Sequence, residues 1–446
     1  MSPANIRVES DKTEIPGGEK FLFAWSAIAF RLSLALLTFE QDRIFELQFS
    51  DYLCFISLGL LVLSVRFRFP KMILTNISIG GALILLGGGL TLLTGASLHD
   101  AVAPYSRLFV LFGLFGPLAV IHSKDIRANL LFLLGGISAN CTVAFIQAWI
   151  FPGIIDVLAI NPIRATDYGV EVDRYPGLSS HPNVIGLSAA LALLIGVALM
   201  LSERSRGNRL GLTIQVILCS LGGLVSGSRT MLASLIPALF LLVAFQKQNR
   251  RAILRVGAAF LIVGIIIFYL VPSFFSLYTE RIASSGKDYS QDYGRLMSAG
   301  LALAEIAQRP IAGYGVDHLG EAGTMLIPET TEVSFAHNTF LQYWYGTGLT
   351  GAIGYLLFFF VPLRQMWHVR KMKVSAATIE YVNLGIAGFL LLFIVSNINP
   401  IVYNRFLYVP LAALAGYAAS ILKSSKVAKP VRRVVPAITS PKPATP

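Results

Sequence analysis

The sequence predicts an all-α polytopic membrane protein, with about 12 transmembrane helices and a large ordered extracytoplasmic loop between helices 9 and 10. Three observations carry that reading. Hydrophobic residues make up 55% of the 446 positions and charged residues only 13%, where a soluble chain carries roughly 25%. The apolar residues gather into runs close to the ~20 residues that a spanning helix needs. The Lys and Arg residues fall in alternate gaps between those runs, as the positive-inside rule requires.

The first 20 residues are polar and carry Arg7, Lys12 and Lys20, and form a cytoplasmic N-terminal segment. The apolar run 21–39 is too long for a secretory h-region, and no small-residue cleavage site follows, so it reads as an uncleaved first helix. Further runs cover 52–65, 73–93, 105–121, 129–151, 184–201, 210–226, 230–246 and 252–271, which completes helices 1–9 within residues 21–271. Residues 272–338 form the extracytoplasmic loop domain. Within it, Leu296, Ala299, Leu303 and Ile306 recur at helical spacing over 293–308. Helices 10–12 (339–363, 382–398 and 404–421) occupy 339–421, and 422–446 is a basic, Pro-containing, disordered cytoplasmic tail that can touch anionic lipid. With the N-terminus inside, 25 of the 36 Lys and Arg residues fall on the cytoplasmic side, and every inner segment holds at least two. Both termini are therefore cytoplasmic, and 152–183 and 272–338 face outward.

This distribution also accounts for the net charge of +12 without a nucleic-acid partner. Cys54, Cys141 and Cys219 lie inside apolar runs and read as small apolar fillers. None of the six His residues forms a close pair, and there is no metal-ligand motif, Walker loop or dinucleotide fingerprint. Acidic residues are nearly absent from the apolar runs, which argues against proton-coupled transport and against metal-dependent glycosyl transfer. Arg31 sits within the first run and calls for a cavity or a partner, since an unpaired charge there costs about 2.5–3.5 kcal/mol.

The segments with chemical potential all lie at outward ends of runs. Ser226-Gly227-Ser228-Arg229-Thr230 is a short turn that opens a helix. Free N–H groups at that helix start, with the guanidinium of Arg229, suit phosphate oxygens. The same Arg equally fits a snorkelling helix-end residue. At the start of the tenth helix, the His337 imidazole can take a proton from a hydroxyl, or can simply cap an interface. Arg295 opens the loop helix, and Arg309-Pro310 leads into the Gly313-Tyr314-Gly315 turn. Arg295 can be a second phosphate ligand or a solvated side chain. Pro176 to Asn183 is turn chemistry first, with His181 and Asn183 able to line a site. Arg405, between the last two helices, faces the same outward side.

These residues resemble the O-antigen ligase and O-antigen or exopolysaccharide polymerase family of bacterial inner-membrane proteins. The resemblance rests on Ser226 to Thr230 opening a helix, the long outward loop, Arg295, the Gly313-Tyr314-Gly315 turn, His337-Asn338 and Gly348 to Gly351. The segment from Gly177 to Asn183 also fits, so the shared stretch runs over roughly residues 174–354. The resemblance implies a metal-independent, cofactor-free glycosyltransferase on the periplasmic face of the inner membrane. Its donor is an undecaprenyl-diphosphate-linked glycan. Its acceptor is a sugar hydroxyl, on a lipid-linked repeat unit for a polymerase or on the lipid A core for a ligase. It implies His337 and Arg229 as catalytic residues. Arg229, Arg295, Arg405 and Ser228 would hold the diphosphate, and His181, Asn183 and Asn338 would contact the glycan or acceptor. The lipid bilayer, flippase proteins and chain-length regulators are the implied partners. A flippase or exporter of the same lipid-linked glycan is the alternative, and it requires charge at several depths of the membrane.

Overall fold

The computed structural model describes residues 17–40, 43–44, 47–64, 76–94, 98–149, 163–167, 170–203, 205–245, 289–318, 325–326, 333–334 and 336–427. The helices among them are α1 (Gly17–Ala35), α2 (Phe49–Ser64), α3 (Asn76–Thr94), α4 (Leu98–Leu108), α5 (Gly116–Ile121), α6 (Ile126–Trp149), α7 (Pro182–Ser202), α8 (Arg206–Val225), α9 (Arg229–Phe245), α10 (Tyr289–Gln308), α11 (Thr339–Arg370), α12 (Ala376–Ser396) and α13 (Arg405–Val427). They overlie every expected apolar run except 252–271, which lies outside the described residues together with 272–288 and the tail from 428. The loop helix α10 starts four residues before the expected 293. Six stretches among the described residues are long and apolar enough to cross a bilayer, and α2, α9 and parts of α3 and α10 are shorter apolar helices.

The expected spans 105–121 and 129–151 are both helical and are joined by a 3-10 turn at His122–Asp125, where the chain reverses: Phe112 and Val120 lie along α13 from Tyr408 to Gly416, and α6 then runs beside α1, from His122 at Ser26 to Gly136 at Ala35. A π segment at Phe109–Phe115 precedes α5. Three antiparallel hairpins also occur outside the helices: Arg43–Ile44 with Leu47–Gln48, Ile163–Asp167 with Val170–Arg174, and Met325–Leu326 with Val333–Ser334. The longest is rich in β-branched residues (Ile163, Thr166, Val170 and Val172), which suit a pleated ribbon.

Helix α7 is the centre of the bundle. It packs against α6, α8, α9 and α12 and is buried along nearly its whole length. The tightest pairing is α3 on α11. A Cβ at Gly80 would meet Gly354 O at 2.7 Å, and one at Gly87 would meet Thr347 O at 2.6 Å. Small residues at such a crossing let two backbones approach, which is how helices gain contact inside a membrane. Arg31 finds its partner outside its own helix. Its Nη2 lies 2.7 Å from Asp125 Oδ2, and its Nε donates to Asn129 Oδ1 at 3.3 Å.

Helix α11 is broken at Gly348, where φ is 67° and ψ is −170°. The two halves fold back on each other. The rings of Tyr343 and Tyr355 stack with centroids 5.2 Å apart, although twelve residues of straight helix would separate them by about 18 Å. The backbone groups freed by the break are taken up by the segment after α10. Tyr314 N donates to Tyr345 O at 2.8 Å, Gly315 N to Gly346 O at 3.1 Å, and Leu349 N to Ile311 O at 3.2 Å. Broken helices persist at membrane depth only where other protein satisfies their backbone, and here the Gly313-Tyr314-Gly315 turn does so.

Candidate functional site

The candidate residues gather at one end of the bundle. Phe245, the last residue of α9, packs on Trp367 at 5.9 Å, and Arg370 lies 3.8 Å above the Phe245 ring. The ends of α9 and of the long arm of α11 therefore meet, and Arg229, at the start of α9, lies at the opposite end of the bundle. Helix α12 runs back: Arg370 donates to Asn383 Oδ1 at 3.1 Å, while Tyr355 and Ser396 share a hydroxyl hydrogen bond of 2.7 Å. Asn397, after α12, thus reaches the same end as Arg229 and His337.

Two hydrogen-bonded groups are built there. The first joins the 174–183 segment to the 225–229 turn. Arg174, 5% exposed, donates from Nε to Ser226 O at 2.9 Å and from Nη2 to Asn183 Oδ1 at 2.7 Å. Tyr175 N reaches Val225 O at 3.5 Å. His181 is the N-cap of α7, its Nδ1 accepting from Asn183 N at 3.0 Å, with Pro182 at the first helical position. That bond fixes Nδ1 as the acceptor nitrogen of the ring. The turn before it is held from α6. Gln147 Oε1 accepts from Gly177 N at 3.1 Å, and Asn140 Oδ1 accepts from Leu178 N at 2.6 Å. Ser180 bonds Glu40, just after α1. Ser228 is buried against Gly186 with its hydroxyl unpartnered, and Arg229 follows as the first residue of α9. The sequence singled out His181, Asn183 and Ser228, but not Arg174, which ties Asn183 to the 226–230 turn. Its position next to the Tyr175-Pro176-Gly177 turn was the available signal.

Arg174→Ala removes two charge-assisted hydrogen bonds from a buried setting. Each such bond contributes about 1.5–3 kcal/mol. Loss of about 3 kcal/mol of stability is expected, read as a lowered unfolding temperature of the purified protein. Arg174→Lys restores little of it, because a single ammonium cannot span both acceptors.

The second group centres on His337, the single non-glycine residue with positive φ (47°) among the described residues. Backbone conformations of this kind persist only where the surroundings over-determine them. Here they do. Gln342 bridges the two sides, accepting from Ala336 N at 3.2 Å and donating to His318 O at 2.6 Å. Asn338 caps α11 through Leu341 N at 3.1 Å and donates to Asn397 Oδ1 at 3.0 Å. Thr339 Oγ1 donates to Asn399 O at 2.8 Å and accepts from Ile401 N at 3.1 Å, while Tyr343 OH donates to Val402 O at 2.8 Å. Beside Asn338 opens a cavity of about 200 Å³ whose walls are Phe340, Phe359, Phe360 and Phe393, with Asn397 at its rim. Tyr314, at the docked turn, stacks on Tyr345 at 4.8 Å. Burial, together with the hydrogen bond from its OH to Glu305 O, pushes its phenol above the usual tyrosine range.

Arg405 has a different setting. It is 5% exposed and its Nη2 lies 2.9 Å from Asp51 Oδ2, with Asp51 fully buried, so its charge is already matched by a carboxylate. Removing either member of a buried pair of this kind leaves an uncompensated charge. Arg295 lies on α10, and its side chain is outside the described residues. Comparison with known proteins adds one finding: residues 214–356 match the family described as O-antigen ligase. That stretch includes the 226–230 turn, α10, the 313–315 turn, His337 and the break at Gly348. No curated protein matches the chain.

Proposed function

We propose, on the match of residues 214–356 to the O-antigen ligase family, that this membrane chain is a glycosyltransferase of polysaccharide assembly that moves an undecaprenyl-diphosphate-linked glycan onto a sugar hydroxyl. The observation that carries it is His337, held in a strained backbone conformation by bonds on both sides, on the same bundle end as Arg229. In the proposed reaction the acceptor hydroxyl gives its proton to His337 and its oxygen attacks the anomeric carbon. The glycosidic bond forms as the bond from that carbon to the diphosphate oxygen breaks, and the electron pair leaves with the polyprenyl diphosphate. Arg229, with Arg295, neutralises the departing charge, the kind of electrostatic stabilisation that usually dominates such steps. Arg405 acts through its pair with Asp51, fixing the start of α13. The reading puts the site on the periplasmic face of the inner membrane with both termini cytoplasmic. It needs neither metal nor cofactor, since the diphosphate carries the energy of transfer.

Deleting the gene and sizing the surface glycans tests this. Single repeat units capped on their acceptor identify a polymerase, and full-length chains stranded on the lipid carrier identify a ligase. Unchanged surface glycan, or lipid-linked units trapped in the cytoplasmic leaflet as an exporter would leave them, overturns the proposal.

A further inference from the structure

The end of α11 away from His337 carries a second cavity, of about 450 Å³, within the size range of small-molecule sites. Its lining is of two kinds. Arg364, His368 and Lys371 follow one another at steps of four and three residues, so they form one stripe along the helix. Val361, Trp367 and, across the gap, Leu422 of α13 supply apolar walls. Among the described residues no acidic side chain lines the cavity.

Cations near a helix C-terminus often do no more than answer the helix dipole. Arg370 fits that description: it bonds Asn383 and lies over the rings of Phe245 and Trp367. Arg364, nearly two turns earlier, is beyond the last turn to which the dipole effect is confined. Among the described residues no ion pair involves Arg364, His368 or Lys371. The nearest acidic residue in the following sequence, Glu380 of α12, is not among the residues that line the cavity. Residues 423–446 contain Lys423, Lys426, Lys429, Arg432, Arg433 and Lys442 and no Asp or Glu, so this stretch of sequence supplies no counter-charge. The occupant must bring negative charge and an apolar portion together, at the bundle end where the charge count predicts the cytoplasmic leaflet.

We propose that this cavity binds the headgroup of an anionic glycerophospholipid, its phosphate between Arg364 and Lys371 and its acyl chains along Val361, Trp367 and Leu422. The site is separate from the candidate active site and independent of the activity assigned to it. The test is native mass spectrometry of the purified full-length protein titrated with phosphatidylglycerol and, separately, phosphatidylcholine. The wild type should retain phosphatidylglycerol preferentially. Each surface cation is worth about fivefold in affinity (~1 kcal/mol), so Arg364→Gln with Lys371→Gln should lower that preference by about 25-fold. The charge-conserving pair Arg364→Lys with Lys371→Arg should keep most of it, which separates charge from folding. Equal retention by the wild type and the Gln pair, or equal retention of the two lipids by the wild type, overturns the proposal. So does displacement of the lipid by inorganic phosphate, which would make this a free-anion site.

Discussion

Replacing His337 with Asn should abolish glycan transfer and leave the protein folded. General-base catalysis contributes about 10²–10⁴-fold, and Asn has no group able to take the proton. Asn is also among the few residues that tolerate positive φ, so the backbone at 337 is preserved, as are the flanking bonds of Ala336 to Gln342 and of Asn338 to Asn397. The measurement is glycan transfer by the reconstituted protein, alongside its unfolding temperature. Loss of at least about 100-fold in transfer with an unchanged unfolding temperature is the expected pair of results. Arg229→Gln should fall by a similar factor, because its charge is needed only as the diphosphate departs. Near-normal transfer by both variants would remove His337 and Arg229 from the chemistry.

The largest structural effect is expected at Gly348. Its φ and ψ lie in a region essentially restricted to glycine, and an added Cβ would also collide with Ile311 O. Strain of this kind costs of order 1–3 kcal/mol. The collision would in addition displace the segment that satisfies Tyr345 O, Gly346 O and Leu349 N. Gly348→Ala should therefore destabilise the protein by more than about 3 kcal/mol and lower its yield in the membrane. Gly135→Ala, inside α6 with nothing within 4 Å of the added atom, is the control. It should be neutral or slightly stabilising, by the ~1 kcal/mol that separates the two residues in a helix. Equal unfolding temperatures for the two variants would mean that the break in α11 is not held as described.

The helices were legible because a membrane forces each span to satisfy its own backbone and to be apolar over its length. The candidate residues were legible where they fall in short polar turns: Ser226 to Thr230 and His337-Asn338 stand out between apolar runs. What escaped depends on pairings between distant parts of the chain. Arg174 gains its meaning from Ser226, 52 residues away. Asp51 read as one more outward acidic residue until Arg405, 354 residues later, proved to be its partner. The break at Gly348 was hidden because glycine is common in membrane helices and no proline marks the site. Only the docking of residues 311–315 distinguishes it from the packing glycines of the same helix, Gly351 and Gly354.

The fold-back at Gly348 also sets how the molecule answers the membrane around it. Helices adjust to a thicker or thinner bilayer mainly by tilting. The long arm of α11 beyond the break tilts together with α3 and α12, to which it is packed and bonded. The short arm is moored elsewhere: Asn338, Thr339 and Tyr343 are bonded to the 397–402 turn between α12 and α13. The elevation of His337 is thus referenced to that turn rather than to the tilt of its own helix. The imidazole is therefore expected to keep its height relative to Asn397 and Asn399 when the lipid chain length changes.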